Sequence, residues 1–253
     1  MIINSDINIL GGLADWNLIS VFGGIGSVEP VSVDHHAFTS IKTSKSVKRF
    51  KNAIENNFLR FDSNDIESIF NSLISQKGID SDTQLFLFWM ISQNNELIKY
   101  LNSTVYFPAL YSGRVSIRID DVIASLSELK ESEPELKSWS NSTVTTTASK
   151  YLTLLKKFDL LDGAITKTIK NKFLSDEMFL VFVYWICQFK EPNNILKSDW
   201  LKYGFMENPS FIERVLSKKY SKYYSVNFNG DILRIETTIP YHQLIESIHE
   251  SRA

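Results

Sequence analysis

One segment constrains the fold more than any other: TQLFLFWMIS, residues 83–92, is apolar on every side of a helix. Such a helix has no polar face to turn toward water, so other elements must surround it. Apolar residues recur at helical spacing over residues 45–61, 64–74 and 96–105, and helices there would bury it. The pattern predicts a helical bundle with residues 83–92 at its centre.

The composition excludes several classes of protein. With 43% hydrophobic residues and a net charge of −2, the chain is not generally disordered. Its longest nearly uncharged apolar run, Met178–Phe189, is too short to cross a bilayer as a helix, and MIINSDINIL lacks the pattern of a secretory signal. The single Cys187 excludes an internal disulfide framework and is interpreted as a core residue. We expect a mainly α-helical, cytoplasmic protein without a membrane partner.

The character of the chain changes at Pro108, which predicts two domains. Residues 1–107 are expected to form the N-terminal helical domain, although residues 1–41 follow no clear pattern. Residues 108–253 combine helices with short β-prone segments, which favours a winged-helix-like region with a short β-hairpin. This region can be divided into two tandem units, residues 108–190 and 191–253.

The first of these units has the element order of a winged helix-turn-helix. The alternating segment 114–119 predicts a short strand, and Asp120 is placed to cap a helix that reaches Leu129. Ser142 is placed to cap a second helix over residues 143–158, and residues 164–169 predict a returning strand.

The second helix of this unit carries hydroxyls and lysines opposite its apolar positions. Short polar side chains allow close approach to phosphate oxygens and base edges, which favours contact with DNA. An ordinary amphipathic surface helix is the alternative. The predicted DNA-contacting residues are Thr143, Thr146, Thr147, Lys150, Thr153 and Lys157 on the helix, with Lys167 and Lys170 on the strand.

Charge is strongly segregated along the chain. Residues 42–60 hold six basic residues against Glu55, a net +5, and residues 137–172 hold seven lysines against two acids, again +5. The intervening residues 61–136 carry a net −7. Two basic islands in an acidic chain indicate a local polyanion footprint, and Lys45, Lys48 and Arg49 join the predicted DNA contacts. Two solvated helix faces are the alternative.

A second winged unit is predicted toward the carboxyl end. A helix that starts at Asn208-Pro209 and reaches Tyr220 precedes two β-prone segments, Tyr223–Phe228 and Asp231–Thr238, around the hairpin signal Asn229-Gly230. A hairpin that only packs against the domain is the alternative. The DNA contacts predicted for this unit are Lys218, Lys219, Lys222 and Arg234.

No catalytic motif is present, so we expect a protein without enzymatic activity, cofactor or metal. Gly23, Gly24 and Gly26 do not complete a dinucleotide-binding fingerprint, because Glu29 stands at the third glycine position. His35 and His36 lack cysteine or acidic partners at metal-ligand spacing.

Three segments resemble one known family. They are TSKSVKRF at Thr43–Phe50, PELKSWSNST at Pro134–Thr143, and the aliphatic helix with its leucine–leucine end at Tyr151–Gly163. Over roughly residues 40–190 the chain is similar to the BrxA proteins of BREX phage-exclusion systems. The resemblance implies a mainly helical, non-enzymatic component of an antiphage system, with an amino-terminal half likened to the NusB fold and an association with DNA.

Residues and resemblance together predict a DNA-binding component that contacts duplex DNA mainly through phosphates, with other BREX components as further partners. This requires the polar sides of two distant helices to point outward and join into one electropositive track. Two alternatives stay open: an adaptor that docks other proteins within a defence complex, and a winged-helix transcriptional regulator.

Overall fold

The computed structural model describes residues 3–13, 16–23, 43–189 and 193–250. Helices dominate, and the strands form two small antiparallel sheets, which confirms the predicted mainly α-helical class. The helices are α1 (Ile7–Leu10), α2 (Asn17–Gly23), α3 (Ser44–Phe58), α4 (Asn64–Lys77), α5 (Ser81–Asn94), α6 (Glu96–Leu101), α7 (Phe107–Tyr111), α8 (Ile119–Ser132), α9 (Asn141–Lys157), α10 (Asp176–Cys187), α11 (Asn208–Val215) and α12 (Leu244–Glu250). The strands are β1 (Ser116–Ile117), β2 (Leu161–Asp162), β3 (Lys167–Ile169), β4 (Tyr224–Phe228) and β5 (Leu233–Thr237).

The described residues form two compact units. Unit 1 consists of the described parts of Met1–Arg60 and Lys77–Lys170, and unit 2 of those of Phe61–Gln76 and Asn171–Ala253. Residues 108–170 thus group with the N-terminal helices. The sequence predicts a different division, into two domains after residue 107, and that division stays a prediction.

Helix α5 lies at the centre of unit 1, as predicted from its apolar surface. Residues 85–91 are all at most 5% exposed. A buried chain of hydrogen bonds ties α5 to two other helices: the Tyr151 hydroxyl of α9 donates to Asn102 Oδ1 at 2.8 Å, and Asn102 Nδ2 donates to Ser92 Oγ at 2.9 Å. Asn102 begins a π-helical turn that continues α6 into α7.

Aromatic rings join the N-terminal segment to the rest of the unit 1 core. Trp16, just before α2, has its ring centroid 5.1 Å from that of Phe158 and 5.9 Å from that of Phe58. Phe158 also contacts Phe88 of α5, with centroids 5.5 Å apart. Edge-to-face and tilted pairs of this kind add to the stabilisation from burial alone.

Residues 3–13 are anchored in unit 1 by the side-chain amides of two buried asparagines. Asn57 Nδ2 of α3 donates to Asp6 Oδ2 at 2.9 Å, and Asn95 Nδ2 donates to Asn4 Oδ1 at 2.6 Å. Asn57 and Asn95 are both fully buried and are hydrogen-bonded to each other at 2.8 Å. Because buried polar groups are costly when unpaired, these partners hold the segment in place.

The glycine-rich stretch is only partly described. Its beginning is helical, since α2 extends through Gly23. Gly24, Gly26, His35 and His36 lie outside the described residues.

A three-stranded antiparallel sheet in unit 1 has the order β1-β3-β2. β1 and β3 are shorter than the segments that the sequence predicts, and β2 was not predicted. Ser116 lies opposite Thr168 and Leu161 opposite Ile169. Two predicted caps were wrong because the helices begin earlier. At α8 the Asp121 carboxylate accepts the Arg118 N–H at 2.8 Å, and at α9 Ser140 Oγ accepts the Thr143 N–H at 3.2 Å.

Unit 2 is built around α10, whose residues 177–186 are buried. Trp200 lies at its end, with its ring stacked on Phe189 at 4.8 Å between centroids. Burial raises the pKa of Cys187 to about 12, so its thiol stays neutral. The residue as a whole is half-buried, so Cys187 lies at the edge of the core and not inside it as predicted.

The predicted hairpin at Asn229-Gly230 is present in unit 2 as β4 and β5. Its connection has four residues, since Leu233 is the first residue of β5. Asn229 Oδ1 accepts the N–H groups of Asp231 and Ile232 at 3.2 and 2.8 Å, which stabilises the turn. The helix expected to reach Tyr220 ends instead at Val215, and a 3-10 turn follows over Lys218–Tyr220.

Candidate nucleic-acid interface

Helix α9 presents an open side that is mostly hydroxyl-bearing. Threonine hydroxyls on this side are short, so a partner can approach the helix closely. At 3.6 residues per turn the positions of this open side, from Ser142 to Lys156, lie along one line of the helix surface. The exposed residues are Ser142, Thr145, Thr146, Ser149 and Lys156, with Thr153 half-buried beside them.

The predicted DNA-contacting side of α9 was wrong at Thr147. This residue is fully buried, and its hydroxyl accepts the side-chain amide of Asn8 at 3.2 Å. Ten residues further along α9, the Lys157 ammonium donates to the Leu13 carbonyl. Burial and the nearby Lys150 lower the pKa of Lys157. These two contacts show that residues 3–13, which include α1, cover the side of α9 that includes Thr147.

The covering segment approaches α9 closely at Gly11. A Cβ atom added at Gly11 would lie 2.8 Å from the Lys150 carbonyl oxygen and 2.9 Å from its Cβ, so no larger residue fits without movement. Lys150 is half-buried, and its ammonium would lie 3.7 Å from a Cβ atom added at Gly12. The Lys150 ammonium thus emerges at the edge of the covering segment.

One member of the first basic island lies near Gly12. Lys45, Lys48 and Arg49 are exposed on α3, as predicted. Arg49 and Gly12 line one cleft of about 160 Å³. Because Lys150 also borders Gly12, the structure brings a member of each basic island close to this residue.

Two further cations, one from α9 and one from β3, meet at the β2–β3 connection. The Lys167 ammonium donates to the carbonyl oxygens of Gly163 and Ala164 at 3.1 and 2.7 Å. The Lys156 ammonium donates to the same Gly163 oxygen at 3.2 Å. Within the described ranges neither ammonium is paired with a carboxylate, so two positive charges meet at a neutral acceptor.

Three other predicted contacts in unit 1 are occupied by the protein itself. Lys170 forms an ion pair with Asp159, which neutralises its charge locally. Thr143 Oγ1 lies 3.0 Å from the capping Ser140 Oγ, and the Thr153 hydroxyl donates to the Ser149 carbonyl at 2.8 Å. Hydroxyls engaged in this way contribute less to an outside ligand.

The predicted contacts of unit 2 are divided between paired and open positions. Lys219 binds both carboxylate oxygens of Asp176, at 2.8 and 2.9 Å, and Lys222 donates to the Ser247 carbonyl at 3.3 Å. Lys218 is exposed, and so is Arg234, which lines a cleft of about 240 Å³ with Cys187.

Sequence reasoning missed Thr145 and Lys156, which lie on the open side of α9. The available signal was Leu154, an apolar residue on the side of α9 that the sequence assigned to DNA. Leu154 is 1% exposed and lies on the same flank of α9 as Thr147. Its inclusion would have widened the expected apolar arc toward Thr147 and moved the open side toward Thr145 and Lys156.

The described ranges hold neither a cluster of metal-binding side chains nor a helix that could span a membrane. No cluster of three or more histidine, cysteine or acidic side chains there is arranged to hold a metal ion. Among the helices of those same ranges, none combines the length and apolar character needed to span a bilayer.

Comparison with known proteins gives one match. No curated protein and no solved structure matches the chain. The family model BrxA matches residues 36–183, more than half of the chain, and this family implies a component of a BREX phage-exclusion system. The match overlaps the three segments on which the resemblance depends, so the chain belongs to the BrxA family.

Proposed function

We propose that this chain is a non-enzymatic component of BREX defence that binds duplex DNA through unit 1. The observation that carries the proposal is the meeting of Lys156 and Lys167 at the Gly163 carbonyl, between the open side of α9 and the β2–β3 connection. Lysines without carboxylate partners are the groups that bind phosphates. A protein of this function would act in the cytoplasm, on DNA within the cell.

The order of elements supports a winged-helix mode of binding. Strand β1 precedes α8 and α9, β2 and β3 follow, and the sheet order is β1-β3-β2. In a winged helix-turn-helix the second helix of the pair enters the major groove, and the hairpin after it forms the wing. Helix α9 would then be the recognition helix, with Thr145, Thr146 and Ser149 toward the bases.

Phosphate contacts would extend from the wing across α9 to α3. Lys156 and Lys167 lie at the wing, and Lys150 lies at the edge of α1. Arg49 lines the Gly12 cleft, and Lys45 is exposed on the same helix, α3. Five such contacts give a slope of about −4 to −5 when the logarithm of affinity is plotted against that of salt concentration. Threonine and serine hydroxyls carry few base-specific pairings, so sequence preference would be weak.

Fluorescence anisotropy with a short labelled duplex tests the proposal, over about 50 to 200 mM salt. The double variant K156E/K167E should lower affinity at least about tenfold and reduce the magnitude of the salt slope by about 2. Lys197→Glu is the control, because Lys197 is exposed, lies in unit 2 and is not among the predicted DNA contacts. Absence of binding by the native chain, or equal loss in the control, would contradict the proposal.

A protein adaptor is the second candidate, and one observation favours it. Asp120, Glu128 and Glu131 are exposed along α8, at spacings that place them on one side of the helix. Such a surface suits a basic protein partner. In pull-downs treated with nuclease, contacts bridged by DNA disappear, whereas direct contacts with a protein partner remain. The double variant E128K/E131K should lose these direct contacts.

A further inference from the structure

Ile165 stands at the tip of the β2–β3 connection with its side chain in solvent. Its exposure is 98%, the highest of the large apolar residues in the described ranges. Ala164 and Thr166 on either side are exposed as well, so nothing in unit 1 shields it. Burial of such an exposed apolar side chain against a partner can raise the affinity for that partner by about tenfold or more.

The turn that carries Ile165 is held in shape. Gly163 has φ of +89°, and a Cβ atom there would lie 2.1 Å from the Thr166 carbonyl oxygen, so only glycine fits. The Lys167 ammonium binds the carbonyls of Gly163 and Ala164, and Lys156 reaches across from α9 to the first of them. Ile165 is therefore displayed on a braced turn, and little ordering is needed before it binds.

The surroundings of Ile165 identify the chemistry of its partner. Two ammonium groups lie at the base of the turn, and the apolar side chain projects beyond them. A partner must offer anionic groups at its rim and an apolar slot at its centre. The minor groove of duplex DNA does so, since phosphates line its edges and stacked base steps accept apolar wedges such as isoleucine.

We propose that Ile165 inserts between base pairs from the minor groove and bends the DNA, while Lys156 and Lys167 hold the flanking phosphates. This deepens the proposed function and rests on it, since the chain must bind duplex DNA. Unstacking one base step costs free energy that further contacts with the bent duplex offset.

Val115 provides a matched control for Ile165. It is a β-branched apolar residue, 75% exposed, beside the same sheet. Its carbonyl accepts the Ile169 N–H at 2.8 Å, so it lies at the end of β3 away from the turn. Replacement of Val115 removes a similar apolar surface without touching the wing tip.

The test measures end-to-end distance by energy transfer in a duplex that carries a dye at each end, together with affinity. Native protein should shorten the distance. Ile165→Ser should lower affinity about tenfold and restore the distance of free DNA, whereas Ile165→Leu should keep both bend and affinity. Val115→Ser should behave as the native chain, and thermal unfolding of each variant should match it, since both side chains are exposed.

The outcomes separate this inference from the proposed function. DNA that stays straight when the native chain binds it overturns the wedge and leaves DNA binding in place. The same conclusion follows if Ile165→Ser bends DNA normally, or if Val115→Ser loses as much affinity as Ile165→Ser. A native chain that does not bind the duplex overturns both proposals.

Discussion

The side-chain amide of Asn8 donates to the Thr147 hydroxyl at 3.2 Å, across 139 residues of chain. This bond lies between α1 and the side of α9 that the sequence assigned to DNA. Thr145, two residues earlier on the same helix, points to solvent. The two threonines thus have opposite roles, one in packing and one on the open side.

Substitutions at these two threonines should separate stability from DNA affinity. Thr147→Val removes a buried hydroxyl, which should lower the free energy of unfolding by about 1 kcal/mol and leave DNA affinity within about twofold of the native value. Thr145→Glu adds a negative charge to the open side, so DNA affinity should fall while stability changes by less than about 0.5 kcal/mol. Urea unfolding and anisotropy measure the two effects. A reversed pattern would mean that Thr147 reaches DNA.

A methyl group at Gly11 should destabilise unit 1 because α1 and α9 approach so closely there. Gly11→Ala places a Cβ atom 2.8 Å from a backbone oxygen of Lys150, and overpacking of this kind costs about 1–3 kcal/mol. At Gly12 the nearest atom to an added Cβ is the Ile9 oxygen at 3.2 Å, and the residue is exposed. Gly12→Ala should therefore cost less. Equal unfolding midpoints for the two variants would argue against tight packing at Gly11.

Loss of the Tyr151 hydroxyl should weaken the buried chain of hydrogen bonds that joins α9 to α5. Tyr151→Phe removes the 2.8 Å bond to Asn102, and both residues are fully buried, so we expect a loss of about 1–2 kcal/mol. Tyr100→Phe is the control, since its bond to the Ser125 carbonyl is longer, 3.3 Å, and only partly buried. Chemical unfolding should give the larger loss for Tyr151→Phe.

Unit 2 should lose stability in acid through Asp176. Hydrogen bonds from Lys219 and Tyr220, with a smaller effect from Arg214, lower the pKa of Asp176 from its ordinary value of 3.8 to about 2. Because the folded pKa lies below the unfolded one, the stabilisation is present above about pH 4 and is lost as the pH falls toward 2. The Asp176 side chain is 53% exposed, so solvent screening limits the contribution to about 1 kcal/mol.

Unfolding of Asp176→Asn at several pH values checks this. The variant should be less stable than the native chain at pH 7, and the difference should shrink between about pH 4 and 2. Asp199→Asn, at an exposed position of the same unit, should follow the native curve. A constant difference between Asp176→Asn and the native chain across this range would show that the carboxylate charge is not what stabilises unit 2.

Local pattern was sufficient for most helices and for the hairpin of unit 2. The apolar surface of residues 83–92 predicted the buried α5, and Asn229-Gly230 predicted the turn between β4 and β5. The caps of α8 and α9 were each placed two residues too late. Several adjacent serines, threonines and aspartates can each cap a helix, so spacing alone does not choose among them.

The sequence by itself determined the family, the mainly helical class and the position of α9 in the chain, because helical spacing and capping depend on neighbouring residues. Only the tertiary structure decided which side of α9 stays open, since that depends on a segment far away in the chain. Residues 3–13, which had no clear pattern, bury Thr147 and leave Thr145, Ser149 and Lys156 exposed. The local sequence of a helix shows that it has an apolar and a polar side, whereas its packing partners decide how much of the polar side remains.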